Sequence, residues 1–361
     1  MSRICLALPT NRACAATISA VGEEAAYAAE QFGVEVHLAL SGSPEQPIVL
    51  PAKTTSFRDW ARHLHDHAQT EEIGAQTEHW LETLRAGEES GVLLDLLPDD
   101  DETLESVNTR ASACSVTVAL EAEQTKLLLQ EAPSAYQARI EELLLTATGL
   151  ALTDALGERQ VLVELEGHGR EDLGPQLDLS RTVGWFTSAY PVLLDIAPGA
   201  SVAGALRQVR EQRRRVPGDG LGYGLLRHLR TGDPLAAELA ELPAAAVCFN
   251  YLGQLDQSFQ PGGLWEPASE NPGPGLDARA TRSHLIEVNA LVLGEELRFT
   301  WTYSDRLYRE ETIAGLAEHC LGTLRALIAG RPAAGDGNRG ADSGSVPGPR
   351  ELSELLGRFD A

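Results

Sequence analysis

Apolar positions fall into helical spacing from Ser56 onward. In SFRDWARHLHDHAQ, Phe57, Trp60, Ala61 and Leu64 stand at i, i+3, i+4 and i+7. That spacing predicts one apolar helix stripe, with Ser56 as its N-cap. Trp80, Leu81 and Leu84 predict a second helix. SVTVAL alternates, with Val116, Val118 and Leu120 on one face of a strand. Helical spacing returns through Leu127 to Leu129 and from about Arg139 to Leu156. A strand follows at Gln160–Glu166, then another in YPVLLDI. SVAGALRQVREQRRR predicts a helix capped by Ser201, with Val202, Leu206 and Val209 turned inward, and AAAVCFNYL predicts a further strand. HLIEVNALVLGEELRFTWTYS reads as a hairpin, its two alternating runs joined by a glycine-first turn at Gly294-Glu295. A last helix, about Glu310–Ala329, aligns Ile313, Leu316, Cys320, Leu324 and Leu327 and stops at Gly330.

The flanks carry weaker patterns. Residues 1–46 are poorly defined, with EEAAYAAEQFG helix-like and VEVHLAL strand-like. LPDDDETLESVNTR is a polar connector and the expected lobe boundary. RPAAGDGNRGADSGSVPGPR has no apolar period and predicts a flexible linker, with ELSELLGRF as a short terminal helix. The expected division is therefore residues 47–110 as a mainly helical segment, 111–330 as the main lobe and 331–361 as linker and helix. Strands and helices in mixed order predict an α/β lobe with a mixed sheet.

Composition narrows the function classes. Hydrophobic residues make up 43% of the 361, enough for a substantial core. Acids outnumber bases 53 to 29, for a net charge of −24. Phosphate backbones need clustered cations, so nucleic acid is not an expected partner, and an anionic membrane surface is repelled. Cys5, Cys14, Cys114, Cys248 and Cys320 are widely spaced with no Cys-x-x-Cys pair, which favours free thiols in a reducing compartment over a disulfide framework or zinc site. No run has the length of a membrane span. The expected location is cytoplasmic.

Candidate chemistry concentrates in VLVELEGHGRED, residues 161–172. Val161, Val163 and Leu165 share one strand face, and Leu162, Glu164 and Glu166 the other. Gly167 and Gly169 flank His168 without side chains, which permits close approach of another backbone or a ligand. Composition alone favours a polar sheet edge here over a reactive site. LSRTVGWFTSAYPV groups Arg181, Trp185, Phe186 and Tyr190 around Gly184. RRRVPGDGLGYG places arginines at a helix C-terminus, where the dipole suits them, and matches no phosphate-loop spacing. His63, His65 and His67 alternate along a helix, where positions two apart diverge by about 200°, so a solvated face is expected rather than a metal site. No metal is expected elsewhere.

The ordered set EELLLTATGLAL, EGHGRE, RTVGWFTSAYPV, VPGDGLGYG and FNYLGQ resembles the epimerization domains of nonribosomal peptide synthetases. These are members of the condensation-domain superfamily. The resemblance runs from about Pro47 to about Gly330. It implies a chloramphenicol-acetyltransferase-like α/β fold of two lobes with a tunnel between them. It implies inversion of the α-carbon of an aminoacyl or peptidyl thioester held on the phosphopantetheine arm of a peptidyl carrier protein. No other cofactor is implied. Glu166 corresponds to the family's acid/base, Asn250 and Tyr251 to its site-lining pair, and Arg170 to an arginine near substrate. His168 and Trp185 join the expected substrate-binding set, and Arg207, Arg210 and Arg214 the expected carrier-binding set.

The family's second signature, His-His-x-x-x-Asp-Gly, does not occur in this sequence. HLHDH at 63–67 lacks the Asp-Gly and lies too late in the order. The resemblance therefore implies a complete C-terminal lobe with a partial N-terminal lobe, impaired alone or completed by another chain. A non-catalytic carrier-docking module and a condensation-type acyltransferase are the alternatives. RTVGWFT disfavours the acyltransferase.

Overall fold

A computed structural model describes residues 53–88, 94–96, 98, 102–254 and 277–331, together with the backbone of 3–8 and 35–40. The helix expected in EEAAYAAEQFG, the Gly/Pro-rich linker and the short terminal helix lie outside these residues. Two short strands, β1 (Arg3–Leu8) and β2 (Glu35–Leu40), pair in parallel; β2 is the strand expected in VEVHLAL.

Helices α1 (Phe57–His67), α2 (Glu71–Gly74) and α3 (Thr77–Glu88) come next, then α4 (Leu104–Val107). The main unit continues through β3 (Ala113–Leu120), α5 (Ala122–Gln130), α6 (Ala132–Tyr136), α7 (Ile140–Leu156), β4 (Gln160–Gly167) and β5 (Ser188–Asp195). It ends with α8 (Val202–Arg215), α9 (Leu221–His228), α10 (Pro234–Glu241), β6 (Val247–Gln254), β7 (Ile286–Leu293), β8 (Glu296–Ser304) and α11 (Glu310–Ala329). The expected caps are present: Ser56 Oγ accepts from the Asp59 amide and Ser201 Oγ from the Gly204 amide.

Strands β3 to β8 form one six-stranded sheet in the order β3-β8-β7-β6-β4-β5. β6 runs parallel to both β4 and β7, and the other pairs are antiparallel, so the sheet is mixed as expected. One sheet face is apolar. Leu297, Phe299, Trp301 and Tyr303 of β8 and Ile286, Val288, Ala290 and Val292 of β7 are buried there. α7 lies in the layer that covers this face and is buried at every position from 142 to 153, as an element apolar on all sides must be. The opposite sheet face is polar: Thr117 and Thr300 hydroxyls meet at 3.0 Å across β3 and β8.

Two expectations change. The β7–β8 turn uses left-handed backbone at both Gly294 (φ 64°) and Glu295 (φ 66°), because the strand twist selects a turn with two positive φ values rather than one. VPGDGLGYG is more than a turn: α9 begins at Leu221, since Leu221, Leu225 and Leu226 find a buried face that outweighs two helical glycines. Packing also continues across the connector near residue 110. Trp80, Leu81 and Leu84 of α3 belong to the same core as the sheet, and the Trp80 ring lies 5.3 Å from Tyr223 and 6.4 Å from Tyr190. The connector itself is tied to the sheet by the Asn108 amide, which donates to the carbonyls of Arg282 and His284.

Candidate active site at the end of strand β4

The strand parity of VLVELEG carries into three dimensions. Val161, Val163 and Leu165 are 4%, 0% and 6% exposed on the core side, while Glu166 reaches solvent on the other. Glu164 stands opposite Cys248 of β6 in the parallel register, which places Asn250 beside Glu166. The Asn250 amide donates to Glu166 Oε2 at 2.9 Å, and the Cys248 thiol lies 3.9 Å from Oε1. Burial raises the proton affinity of Glu166 above the ordinary carboxyl value, and the neighbouring Glu164 adds to it; His284 and the Cys248 contact pull the other way.

The two glycines of EGHGRE explain how the strand can end so closely against its neighbour. A Cβ at Gly169, where φ is +65°, would stand 1.5 Å from the Phe186 carbonyl oxygen. One at Gly167 would meet Ser188 Oγ at 2.8 Å. His168 between them is exposed; its Nδ1 accepts from the Arg170 amide at 3.0 Å and lies 3.6 Å from Glu171.

Around Glu166 is a cavity of about 790 Å3. Asn250, Tyr251, His168 and Trp185 line it, together with Glu171, Tyr190, Arg139, Glu141, Arg213 and Asp219. Trp185 is 88% exposed at its rim. Burial also raises the proton affinities of Glu171 and Tyr251. Five of the residues singled out from sequence therefore converge on one cavity: Glu166, Asn250, Tyr251, His168 and Trp185.

Arg170 does not line it. Its guanidinium donates to the carbonyls of Leu179 (2.6 Å) and Thr182 (2.9 Å) and lies 4.0 Å over the Phe186 ring. It clamps the loop between β4 and β5, where Trp60, Leu179 and Phe186 form a small separate core. The arginines of α8 divide by helix face. Arg207 borders neither cavity, and Arg210 donates to the Tyr136 carbonyl at 2.8 Å. Arg214 lines an adjoining cavity of about 400 Å3 that shares Arg139, Glu141, Arg213 and Asp219 with the first. Arg213 enters the main cavity and donates to the Tyr190 hydroxyl at 2.6 Å. Arg139 and Glu171 were not singled out from sequence. Glu171 closes EGHGRE, but parity has no meaning past the strand end, and Arg139 carries no local signal at all.

Among the described residues one grouping brings metal-ligand types together: single atoms of Glu164, Cys248 and His284 lie within 4.8 Å of one another. A tetrahedral zinc site brings such atoms to about 3.5 Å. Here His284 Nε2 and Glu164 Oε1 bond each other at 2.9 Å, and burial among carboxylates holds the proton on the Cys248 thiol. The grouping is read as an acid–imidazole pair beside a neutral thiol. His63 and His67 stack on one face of α1 with ring centroids 5.9 Å apart.

The family profile described as Condensation domain matches residues 39–334. The chain belongs to the condensation-domain family. A component of the linear gramicidin synthase of Brevibacillus parabrevis is 43% identical over 284 residues, 79% of this chain and 5% of that protein. Chondramide synthase of Chondromyces crocatus is 42% identical over 287 residues, 78% of this chain and 7% of that protein. The chain thus spans a small fraction of the synthases it matches. Among solved structures, the epimerization domain from the third module of tyrocidine synthetase B superposes with a TM-score of 0.66 at 28% identity, covering 91% of this chain and 79% of that one. A condensation domain that mediates chain release from the enacyloxin polyketide synthase shares the fold at 17% identity and a TM-score of 0.56. Condensation domains of nonribosomal peptide synthetases work with carrier proteins and their phosphopantetheine arms. No helix among the described residues is long and apolar enough to cross a membrane.

Proposed function

We propose that this condensation-family domain is of the epimerization type and inverts the α-carbon of an aminoacyl or peptidyl thioester presented by a peptidyl carrier protein. The observation that carries this reading is the Glu166 carboxyl, raised in proton affinity at a strand end and held by Asn250 inside the cavity. A group that both takes and returns a proton works best with its pKa near the operating pH. Burial moves Glu166 in that direction. The fit of EGHGRE and FNYLGQ to this one corner, and the likeness to a solved epimerization domain, support the same chemistry.

In this reading the thioester carbonyl polarises as the α-proton leaves, and the planar enolate is reprotonated from the opposite face. Glu166 transfers a proton on one face, and Asn250 holds its carboxyl in one orientation. Tyr251, His168 and Trp185 bound the substrate, while Arg170 holds the loop that forms the rim. The second proton-transfer group faces Glu166 across the α-carbon. Glu171, which lines the same cavity, is the candidate for it. The phosphopantetheine arm enters past Arg213 and Arg214, whose positive charge suits its phosphate. Arg207 and Arg210 lie on the same helix toward the carrier. The reaction takes place in the cytoplasm.

Deuterium incorporation at the α-carbon of a carrier-bound aminoacyl thioester in D2O tests this. Wash-in that is lost in Glu166→Gln is expected. Carrier binding without wash-in would instead make the domain a docking module. Amide formation with a second loaded carrier would make it an acyltransferase.

A further inference from the structure

Glu166 shares its sheet face with a set of charges that do not line the cavity. Glu164 precedes it by two residues on β4, about 7 Å away along the strand. Cys248 of β6 lies opposite Glu164, and Glu287 of β7 lies opposite Cys248. The segment entering β7 adds two basic groups. His284 Nε2 is 2.9 Å from Glu164 Oε1, with side chains only 12% and 16% exposed. Arg282, fully buried, places Nη2 3.3 Å from Glu287 Oε1. Two carboxyls of this face are therefore matched with basic side chains. On Glu166 itself the contacts are the neutral donors Asn250 and Cys248.

A carboxyl two residues along a strand is too far for a hydrogen bond and near enough for its charge to be felt. The backbone fixes that spacing, and the imidazole of His284 fixes the Glu164 rotamer. From this arrangement we infer that the Glu164–His284 pair is a positioning element for Glu166. Glu164 supplies the negative charge that keeps a proton on Glu166, and His284 sets how much of that charge Glu166 feels. Neither side chain lines the cavity, so the pair acts through Glu166 and not on substrate. Glu287 adds to the Glu164 effect and is itself paired with Arg282, while Glu171, Arg213 and Asp219 also line the cavity. The directions at Glu166 agree: after burial, Glu164 and Glu287 push its proton affinity up and His284 pulls it down. The functional importance of the pair rests on Glu166 being the proton-transfer group; its electrostatic effect does not.

Carboxyl 13C titration of the full chain, selectively labelled in glutamate and with Glu166 assigned by the Glu166→Gln spectrum, reads the effect without substrate. Glu164→Gln should lower the Glu166 midpoint and His284→Gln should raise it. The Glu164→Gln shift should be about 0.4 unit, the effect of one full charge at ~7 Å in a water-like medium, and the His284→Gln shift should be opposite in sign. A merely structural pair would move both variants in the same direction. The double variant Glu164→Gln/His284→Gln keeps a neutral hydrogen bond between the two positions and should return toward wild type. Shifts of equal sign, or none in either single variant, overturn the inference. If a single variant fails to fold, Glu287→Gln provides a further arm: it should lower the midpoint, and an unchanged or raised midpoint overturns the inference. Absence of α-carbon exchange in the wild-type chain, with these shifts as expected, would count against the proposed reaction and not against the pair.

Discussion

Replacing Gly169 by alanine tests the close approach that shapes the candidate site. The added Cβ would sit 1.5 Å from the Phe186 carbonyl oxygen at a residue with φ of +65°. An L-residue in the left-handed region costs roughly 1–2 kcal/mol. The overlap is less than half an ordinary contact distance, so the 186–188 backbone must move by about 2 Å. Arg170 stacks on the Phe186 ring, so the movement is expected to loosen its clamp on the carbonyls of Leu179 and Thr182, where a hydrogen bond from a charged donor is worth about 1.5–3 kcal/mol. The expected loss is therefore about 2.5–5 kcal/mol. Gly199→Ala is the internal control: its φ is +70°, and no atom lies within 4 Å of the added Cβ. It should lose only the backbone strain, about 1–2 kcal/mol. Urea unfolding of both variants, followed by circular dichroism at constant pH, measures the difference. If Gly169→Ala proves no more destabilising than Gly199→Ala, the strand end does not abut Phe186 as described.

Three other outcomes are expected. Because the folded-state proton affinity of Glu166 is raised, the folded chain holds a proton that the unfolded chain releases, so stability falls as pH rises from near the ordinary value of 4.5 through the raised value; Glu166→Gln should gain stability relative to wild type above that window and none below it, read by urea melts on both sides. Arg170→Gln should destabilise by about 2 kcal/mol through loss of charged bonds to two carbonyls and of the Phe186 stacking, and should expose the Trp60 cluster to fluorescence quenching. Arg213→Gln with Arg214→Gln should weaken binding of a phosphopantetheinylated carrier by about tenfold in calorimetry, whereas Arg207→Gln, which borders neither cavity, should have a smaller effect.

Most elements were legible because their burial is one-sided. A strand such as β8 alternates when only one face meets the core, and α11 shows a stripe for the same reason. α9 was hidden by its glycines, whose low local propensity is overruled by packing of Leu225 and Leu226. At the site, parity placed Glu166 on the polar face of a strand, and only the resemblance of EGHGRE distinguished it from an ordinary polar sheet edge. The sequence alone could not separate Arg170 from the cavity, because which way a long side chain turns depends on the loop carbonyls it meets. It could not select Arg213 from its run either, since neighbouring helix positions differ by ~100° and only the surroundings say which one faces the cavity.

By itself, the order of residues determined element type, the mixed-sheet class and the strand-end carboxyl, because hydrophobic periodicity and turn chemistry are local. Only the tertiary structure decided that helices 57–88 share a core with the sheet, and that Asn250, Arg213 and Trp185 gather around Glu166. It also decided that His284, 120 residues from Glu164 in the chain, comes to bond it. These pairings depend on strand order and register between distant segments, where β6 inserts in parallel between β4 and β7, and no local pattern encodes which strands become neighbours.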